Sequence, residues 1–316
     1  MNGNHKLAVV AVGGNALIRQ KGKESLQDQY EAARLTMPHI VDMVQNGWKV
    51  IVTHGNGPQV GFILRRSEIA AHEVPTIPLY YGGSNTQGTI GFMFQTALLN
   101  EFRRRGMPNQ ATTVVTQTLV DKNDPAFQNP SKPIGSFMDE QTAHKRRDEN
   151  GWAVMEDSGR GWRRVVASPQ PVQILQKDAI MSLVNAGFTV VGVGGGGVPV
   201  IKNEQGEIEG VEAVIDKDLA SALFATSIQA DLFLISTEVE KVAINFNKPD
   251  VKWLDSLTVQ EAKNYLAEGQ FGKGSMEPKV NAILNYLECG GKEALITNPE
   301  NMLRALRGET GTHFSA

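Results

Sequence analysis

Short apolar runs alternate along the chain with longer segments whose apolar residues recur every three or four positions. The first pattern indicates strands that are buried on both faces, and the second indicates helices with one face in the core. The predicted strands are residues 7–12, 48–53, 112–120, 188–193, 231–236 and 293–296. The predicted helices are residues 28–45, 59–71, 87–105, 171–185, 218–229, 257–267 and 277–287.

This alternation of strand and helix predicts an α/β fold. Helical crossovers between parallel strands are right-handed and place helices on both faces of the sheet. We therefore predict a three-layer αβα sandwich around a mainly parallel open sheet. Residues 121–164 interrupt the alternation with turn residues, charges, Pro125, Pro130 and Pro133. We interpret residues 121–164 as an inserted, protruding lid subdomain and call them the insert.

Composition narrows the class of ligand and the compartment. The 316 residues carry a formal net charge of -3 with both signs interspersed, which gives no basic surface for nucleic acid. A small-molecule ligand is therefore predicted. The chain has a single cysteine, Cys289, which fits a reducing compartment. The apolar run at residues 7–12 is too short to span a membrane, so we predict a cytoplasmic protein without membrane contact.

A glycine pair directly follows the first predicted strand. Gly13 and Gly14, together with Asn15, lie at the sheet edge where ligands of α/β proteins bind. Glycine lets the backbone approach a ligand closely, and successive N–H groups can form a concave anion site. The segment is therefore a candidate phosphate site, with an ordinary strand-to-loop turn as the alternative.

The second predicted strand leads into Gly55, Asn56 and Gly57, just before a predicted helix. Free N–H groups and the positive end of the helix dipole favour a carboxylate or phosphate there. His54 precedes this turn, and a lone histidine is more often a structural hydrogen-bonding residue than a catalyst. We therefore assign the anion site to the backbone and leave His54 a structural role.

Four consecutive glycines, residues 194–197, follow the strand predicted at 188–193. With Gly192 they match the spacing G-x-G-x-x-G of dinucleotide-binding proteins, but the residues that follow do not open a helix. An oxidoreductase is thus disfavoured. We interpret Gly194, Gly195 and Gly196 as a loop over nucleotide phosphates, with a plain glycine turn as the alternative. The chain also lacks the P-loop pattern G-x-x-x-x-G-K-[ST].

Three lysines lie beside turns or at predicted helix starts: Lys132, Lys217 and Lys279. Phosphoryl transfer requires in-line positioning and neutralisation of spreading charge, which lysines and backbone amides can provide. Asp216 and Asp218 flank the middle lysine, and a carboxylate there can hold lysines in place or merely cap the next helix. Each lysine taken alone could equally be a solvated surface charge.

Eight segments in this order resemble the carbamate kinases of the amino-acid kinase family, and the resemblance spans nearly the whole chain. They are GGNAL at Gly13, THGNGPQVG at Thr53, DPAFQNPSKPIG at Asp124, EDSGRGWRRVVASPQP at Glu156, GGGGVPVI at Gly194, AVIDKDLAS at Ala213, EVEKVAINFNKP at Glu238 and GSMEPK at Gly274.

The resemblance implies a single domain, residues 1–316, with an acceptor half at 1–170 and a nucleotide half at 171–316. It implies a reversible kinase, a homodimer, and Mg²⁺ that arrives with ATP or ADP rather than a metal held by the protein. The implied catalytic residues are Lys132, Lys217, Lys279 and Asp218. The implied phosphate and acceptor residues are Gly13, Gly14, Asn15, Gly55, Asn56 and Gly57. The implied nucleotide residues are Gly194, Gly195, Gly196, Val242, Ala243, Asn245 and Met276.

Three positions depart from the pattern of the family. Residues 83–88, GSNTQG, replace a segment near the acceptor, whereas Gln270 and Glu277 lie nearer the nucleotide. The expected reaction is ATP plus carbamate giving ADP plus carbamoyl phosphate, and its reverse. Two alternatives stay open: a different small carboxylate or carbamate-like acceptor, and a nucleotide sensor without catalysis.

Overall fold

The structure, a computed structural model, describes residues 6–14, 17–18, 22–157 and 159–316. In this part of the chain strands and helices alternate as the sequence predicts. The strands are β1 Leu7–Val12, β2 Lys49–His54, β3 Gln110–Thr113, β4 Gln117–Val120, β5 Lys132–Met138, β6 Ala153–Glu156, β7 Trp162–Val166, β8 Pro171–Ile174, β9 Phe188–Val191, β10 Val198–Lys202, β11 Ile208–Gly210, β12 Leu232–Ser236, β13 Val242–Ile244, β14 Lys252–Leu254, β15 Ser256–Thr258, β16 Glu293–Thr297 and β17 Thr312–Ser315. The helices are α1 Leu26–Gln45, α2 Gly57–Ile69, α3 Leu79–Arg104, α4 Glu140–Asn150, α5 Lys177–Asn185, α6 Lys217–Ser227, α7 Val259–Ala267, α8 Met276–Glu288 and α9 Met302–Leu306.

The central sheet has eight strands in the order β15-β17-β16-β12-β1-β2-β9-β3. Neighbouring strands pair in parallel, except that β17 is antiparallel to β16. Because the central strands are parallel, their carboxyl ends meet at one edge, where loops can form a ligand site. The segments after β1 and β2 lie at this edge.

Both faces of the central sheet are buried, which explains the continuous apolar runs in the sequence. Successive side chains of a strand point to opposite faces. Val9 lies in one core with Phe224 of α6, whereas Val10 lies in another with Met37 of α1 and Phe94 of α3. Helices therefore pack on both sides, and the structure confirms the predicted αβα sandwich around a mainly parallel sheet.

The insert forms a small sheet of its own in the order β5-β7-β6, all antiparallel, together with α4. Asp139 caps α4 by accepting a hydrogen bond from the Thr142 backbone, and Gly151 ends the helix with φ +66°. The insert contacts α2 at two glycines. A Cβ atom on Gly61 would lie 2.0 Å from the Cα atom of Gly135, so the two backbones touch without side chains between them.

Two further sheets flank the central one. Strands β11-β10-β4-β8 form the first, and β13-β14 form an antiparallel pair. Of the described helices, none has both the length and the apolar character needed to cross a membrane.

The predicted start of the third helix was wrong. The helix begins at Leu79 and not at residue 87, because Gly82 lies within it and packs against α2. A Cβ atom on Gly82 would lie 3.3 Å from Val60 Cγ2. Gly82 permits close packing of α3 on α2, whereas the sequence pattern suggested a loop.

The single strand predicted at 112–120 is two strands, β3 and β4, in different sheets. Gln87 explains the break, because its side-chain amide accepts from the Thr116 N–H and donates to the Thr116 carbonyl. A buried side chain thus satisfies backbone groups that a strand neighbour would otherwise bond.

The helices predicted at 171–185 and 257–267 both began too early. Residues Pro171–Ile174 form β8, which pairs with β4, and α5 starts only at Lys177. Residues Ser256–Thr258 form β15, and Thr258 then caps α7 through a capping box with Glu261. In both cases a short strand precedes the helix without an intervening polar loop.

Candidate active site

The start of helix α6 carries the central carboxylates of the site. Asp216 is the N-cap: its Oδ1 accepts from the backbone N–H groups of Asp218, at 2.8 Å, and Leu219, at 3.2 Å. Its other oxygen, Oδ2, accepts a hydrogen bond of 2.5 Å from Lys132 Nζ, which comes from the insert. Burial opposes ionisation of Asp216, but Lys132 and Lys217 hold the pKa of its carboxyl below the ordinary value.

Asp218 lies between two lysines that are distant in sequence. Its Oδ1 is 2.6 Å from Lys217 Nζ, and its Oδ2 is 3.5 Å from Lys279 Nζ. Only 3% of Asp218 is exposed, and burial opposes its ionisation, but the two ammonium groups lower the pKa of this carboxyl. Burial lowers the pKa of Lys217. The neighbouring charge of Lys279 also lowers the pKa of Lys217, whereas the charge of Asp218 raises it. The carboxylate therefore stabilises two neighbouring like charges.

A cavity of about 370 Å³ opens above these lysines, and we call it the lysine cavity. Lys217 and Lys279 line it from one side, and Gly13 and Gly14, which follow β1, line it from another. Glycine backbone and ammonium groups thus face the same space, as a bound phosphate requires. Further along, the cavity is lined by Ala243, Phe246, Trp253, Phe271 and Met276.

The turn after β2 lies beside the same lysines. A Cβ atom on Gly55 would be 3.4 Å from Lys217 Cδ, so this glycine leaves room for the lysine side chain. Asn56 is buried and donates a 2.8 Å hydrogen bond from Nδ2 to Thr86 Oγ1. Gly57 begins α2, near the Pro133 carbonyl of the insert. The predicted acceptor segment therefore lies between α6, α3 and the insert.

The tetraglycine segment packs against the turn after β2. A Cβ atom on Gly194 would lie 2.3 Å from His54 Nε2, and one on Gly195 would lie 2.2 Å from Asn56 Nδ2. A Cβ atom on Gly196 would lie 2.8 Å from the Ile215 carbonyl oxygen. Among the described residues that line the lysine cavity, Gly194–Gly196 do not occur. The segment lies on the Asn56 side of the site, and its predicted contact with nucleotide phosphates stays a prediction.

His54 is buried, and its Nδ1 lies 3.1 Å from the Gly55 carbonyl oxygen. Burial lowers the pKa of His54 to about 4, so the imidazole is neutral near pH 7. Its ring packs edge-on against the Phe94 ring, with 5.7 Å between the ring centroids. These contacts agree with a structural role.

Of the other predicted nucleotide residues, two line the lysine cavity and two do not. Ala243 and Met276 line the lysine cavity, whereas Val242 and Asn245 are not among its described lining residues. The Val242 N–H donates to Thr312 Oγ1, and the Asn245 N–H donates to Gln270 Oε1. One remaining prediction, Asn15, lies outside the described residues.

One lining residue was missed by the sequence analysis. Arg160, from the insert, lines the lysine cavity and pairs with Asp157 at 2.9 Å. An arginine between two glycines in the matched string at Glu156 was the available signal. In the described part of the chain, no group of three or more His, Cys, Asp or Glu side chains could hold a metal ion.

Comparison with known proteins agrees with this geometry. The model of the amino acid kinase family matches residues 6–298. Carbamate kinase of Thermococcus kodakarensis is 50% identical over 97% of this chain and 98% of its own length. The carbamate kinase-like protein YahI of Escherichia coli is 48% identical over 98% of both chains. A solved structure of Giardia lamblia carbamate kinase bound to AMP-PNP is 39% identical over 98% of both chains, with a TM-score of 0.90. The chain belongs to the amino acid kinase family.

Proposed function

We propose that the protein is a carbamate kinase that reversibly transfers a phosphoryl group between carbamoyl phosphate and ADP. The observation that carries the proposal is the placement of Lys217 and Lys279 on one buried carboxylate, Asp218, beside the glycine backbone after β1. Relatives with this name cover nearly the whole chain and add support.

The proposed reaction needs no covalent intermediate with the protein. A β-phosphate oxygen of ADP forms the new bond to phosphorus while the bond from phosphorus to the carbamate oxygen breaks. The electron pair leaves on carbamate, and no proton has to move. The protein therefore contributes mainly alignment and charge balance, which is the usual requirement of phosphoryl transfer.

Each part of the site has a proposed role in that transfer. Lys217 and Lys279 balance the charge on the transferred phosphoryl group, and Asp218 holds both in position. Lys132 approaches from the insert side, where it contacts Asp216. The apolar and aromatic side chains further along the lysine cavity suit an adenine ring.

Magnesium would arrive with the nucleotide. The Asp216 and Asp218 carboxylates are occupied by lysines and backbone donors, so the phosphate oxygens of the nucleotide fit better as the principal ligands. Bound Mg²⁺ neutralises phosphate charge and orients the reacting groups.

The test is ATP formation from ADP, Mg²⁺ and carbamoyl phosphate. We expect the protein to form ATP, and we expect Lys217→Ala or Lys279→Ala to lower turnover by about 10²-fold or more, as for loss of one electrostatic stabiliser. Lys177→Ala is the matched control, since this lysine is partly exposed on α5 and its ion partner, Asp178, is fully on the surface. Wild-type rates in both site variants would refute the mechanism, and nucleotide binding without ATP formation would favour the sensor.

A second candidate function is the same chemistry on a different small acceptor. Thr86, in the segment that departs from the family, bonds the buried Asn56 on the acceptor side. Two relatives at 48% identity are themselves named carbamate kinase-like. A panel of small carboxylates and carbamates assayed with ATP and Mg²⁺ separates the two candidates. Carbamate is phosphorylated fastest only if the protein is a carbamate kinase.

We also propose that the protein is a cytoplasmic homodimer. The exposed Cys289 thiol suits a reducing compartment. Contacting helices α1 and α3 expose large apolar side chains, Leu35, Tyr81 and Phe92, as a subunit interface would. Sedimentation of the purified protein tests the dimer.

A further inference from the structure

A second cavity, of about 210 Å³, lies between the insert and helix α2, and we call it the insert cavity. It is separate from the lysine cavity and shares no described lining residue with it. Its apolar wall comes from both sides: α2 supplies Phe62 and Leu64, and the insert supplies Ile134, Phe137 and Trp152. Pockets for drug-sized ligands measure about 300 to 1,000 Å³, so this one suits a smaller molecule.

Positive charge dominates the polar part of the insert cavity. Arg65, Arg146 and Arg164 line it, with Glu68 as the accompanying carboxylate. Glu68 accepts from both Arg65, at 3.3 Å, and Arg164, at 3.1 Å. Within the described chain, the Arg146 guanidinium donates to a neutral oxygen, Asn150 Oδ1 at 3.2 Å, and forms no ion pair. The residues that line the cavity therefore carry more positive charge than negative charge.

The surroundings of Arg164 support this charge imbalance. Burial lowers the pKa of its guanidinium, and Glu68 and Glu212 offset this only in part. Glu212 is not among the residues that line the cavity, and its carboxylate accepts from the Leu79 backbone N–H. A further anion would stabilise this partly buried guanidinium.

An aromatic ring is placed to accompany that anion. Trp152 is contacted by two guanidinium groups, Arg164 at 4.9 Å and Arg146 at 5.9 Å from the ring centroid. Phe62 and Phe137 form the neighbouring apolar wall. A ligand with an apolar ring and one carboxylate matches both features, because the ring covers the aromatic wall while the carboxylate reaches the arginines.

We propose that the insert cavity is a binding site for a small aromatic carboxylate and that its occupancy regulates the active site. The regulatory part rests on the proposed function. Two walls of the cavity lead directly to the active site: β5 begins at Lys132, which bonds Asp216, and α2 begins at Gly57, beside Asn56. A ligand that contacts both walls therefore ties the position of Lys132 to that of α2.

The two walls already touch, so a change at one is carried to the other. Gly61 of α2 and Gly135 of β5 meet backbone to backbone in the wall of the insert cavity. Neither backbone can move towards the other without displacing it, because no flexible side chain lies between them. Occupancy of the cavity is expected to change turnover or the KM for carbamoyl phosphate.

Phenylacetate is the probe for binding, measured by isothermal titration calorimetry on the full-length protein. We expect one saturable site, no binding of 2-phenylethylamine, and about tenfold weaker binding to Arg146→Gln, as for loss of one charge-assisted hydrogen bond. Arg147→Gln is the matched control, because Arg147 is the next residue of α4 but pairs with Asp148 and does not line the cavity. Thermal unfolding of each variant verifies that it folds.

The assignment is overturned if phenylacetate does not saturate, if the amine binds equally well, or if Arg146→Gln binds phenylacetate with wild-type affinity. Regulation is tested by ATP formation with and without phenylacetate, where we expect at least about a twofold change that Arg146→Gln abolishes. Saturable binding with unchanged kinetics refutes regulation. Binding to a protein that forms no ATP at all refutes the proposed function and leaves the site assignment standing.

Discussion

Replacing Asp218 by asparagine removes the negative charge that lies between Lys217 and Lys279 while keeping the shape of the side chain. The lost contacts are those at 2.6 Å and 3.5 Å from the two ammonium nitrogens. Two unit charges about 4 Å apart attract by about 4 kcal/mol at an effective dielectric constant near 20. Asp218 is buried, and the side chains of Lys217 and Lys279 are only 12% and 16% exposed, so water screens these charges poorly.

The expected consequence is a fall in kcat/KM for carbamoyl phosphate of about 10² to 10³-fold, since each 1.4 kcal/mol of lost stabilisation is about tenfold. The pH profile changes as well. Burial already lowers the pKa of Lys217, and without Asp218 it falls further. Because the charged lysine is the active form and exists below its pKa, the high-pH limb of the profile moves to lower pH.

ATP formation measured from about pH 5.5 to 9 tests both effects, since kcat/KM reports groups of the free enzyme. Asp178→Asn is the matched control, because the side chain of Asp178 is 97% exposed. Circular dichroism confirms that each variant is folded. An Asp218→Asn protein with the wild-type rate and pH profile would show that the lysine pair does not depend on this carboxylate.

Four further predictions concern residues in or near the site, three of them buried and one, Gly88, exposed. His54 has a pKa of about 4 in the folded protein and about 6.5 in the unfolded chain, so the free energy of unfolding falls as pH drops through this window. Urea titrations at several pH values should show that the free energy of unfolding depends less steeply on pH in His54→Gln than in the wild type. Gly194→Ala would place a Cβ atom 2.3 Å from His54 Nε2 and should destabilise the protein by about 1 to 3 kcal/mol in the same titrations. Gly88→Ala, on the exposed side of α3, should instead stabilise by up to about 1 kcal/mol. Thr86→Val removes the hydroxyl that holds Asn56 and should raise KM for carbamoyl phosphate but not for ADP in steady-state assays.

The sandwich could be predicted because its central strands are buried on both faces. A strand such as β1 then has no polar face, and its apolar run is visible without knowledge of its neighbours. The start of α3 could not be predicted in the same way. Whether Gly82 breaks a helix or allows close packing depends on Val60 and Leu64, which belong to another helix.

In the site, too, the lysines could be identified from the sequence, but the contacts between distant segments could not. The resemblance named the lysines, but the residues alone left open which of Asp216 and Asp218 caps the helix. In the structure Asp216 is the cap, and it also bonds Lys132, a contact that was not predicted. That contact depends on how the insert docks, and no periodic pattern in the sequence encodes docking. Arg160 was missed for the same reason.

The two oxygens of Asp216 divide their work between the helix and the insert. Oδ1 holds the first turn of α6, whereas Oδ2 holds Lys132. If the lysine departs, the bonds to the backbone remain, and the helix that carries Lys217 and Asp218 keeps its starting turn. The first turn of α6, on which catalysis is proposed to depend, is thus held at this point by bonds that do not involve the insert.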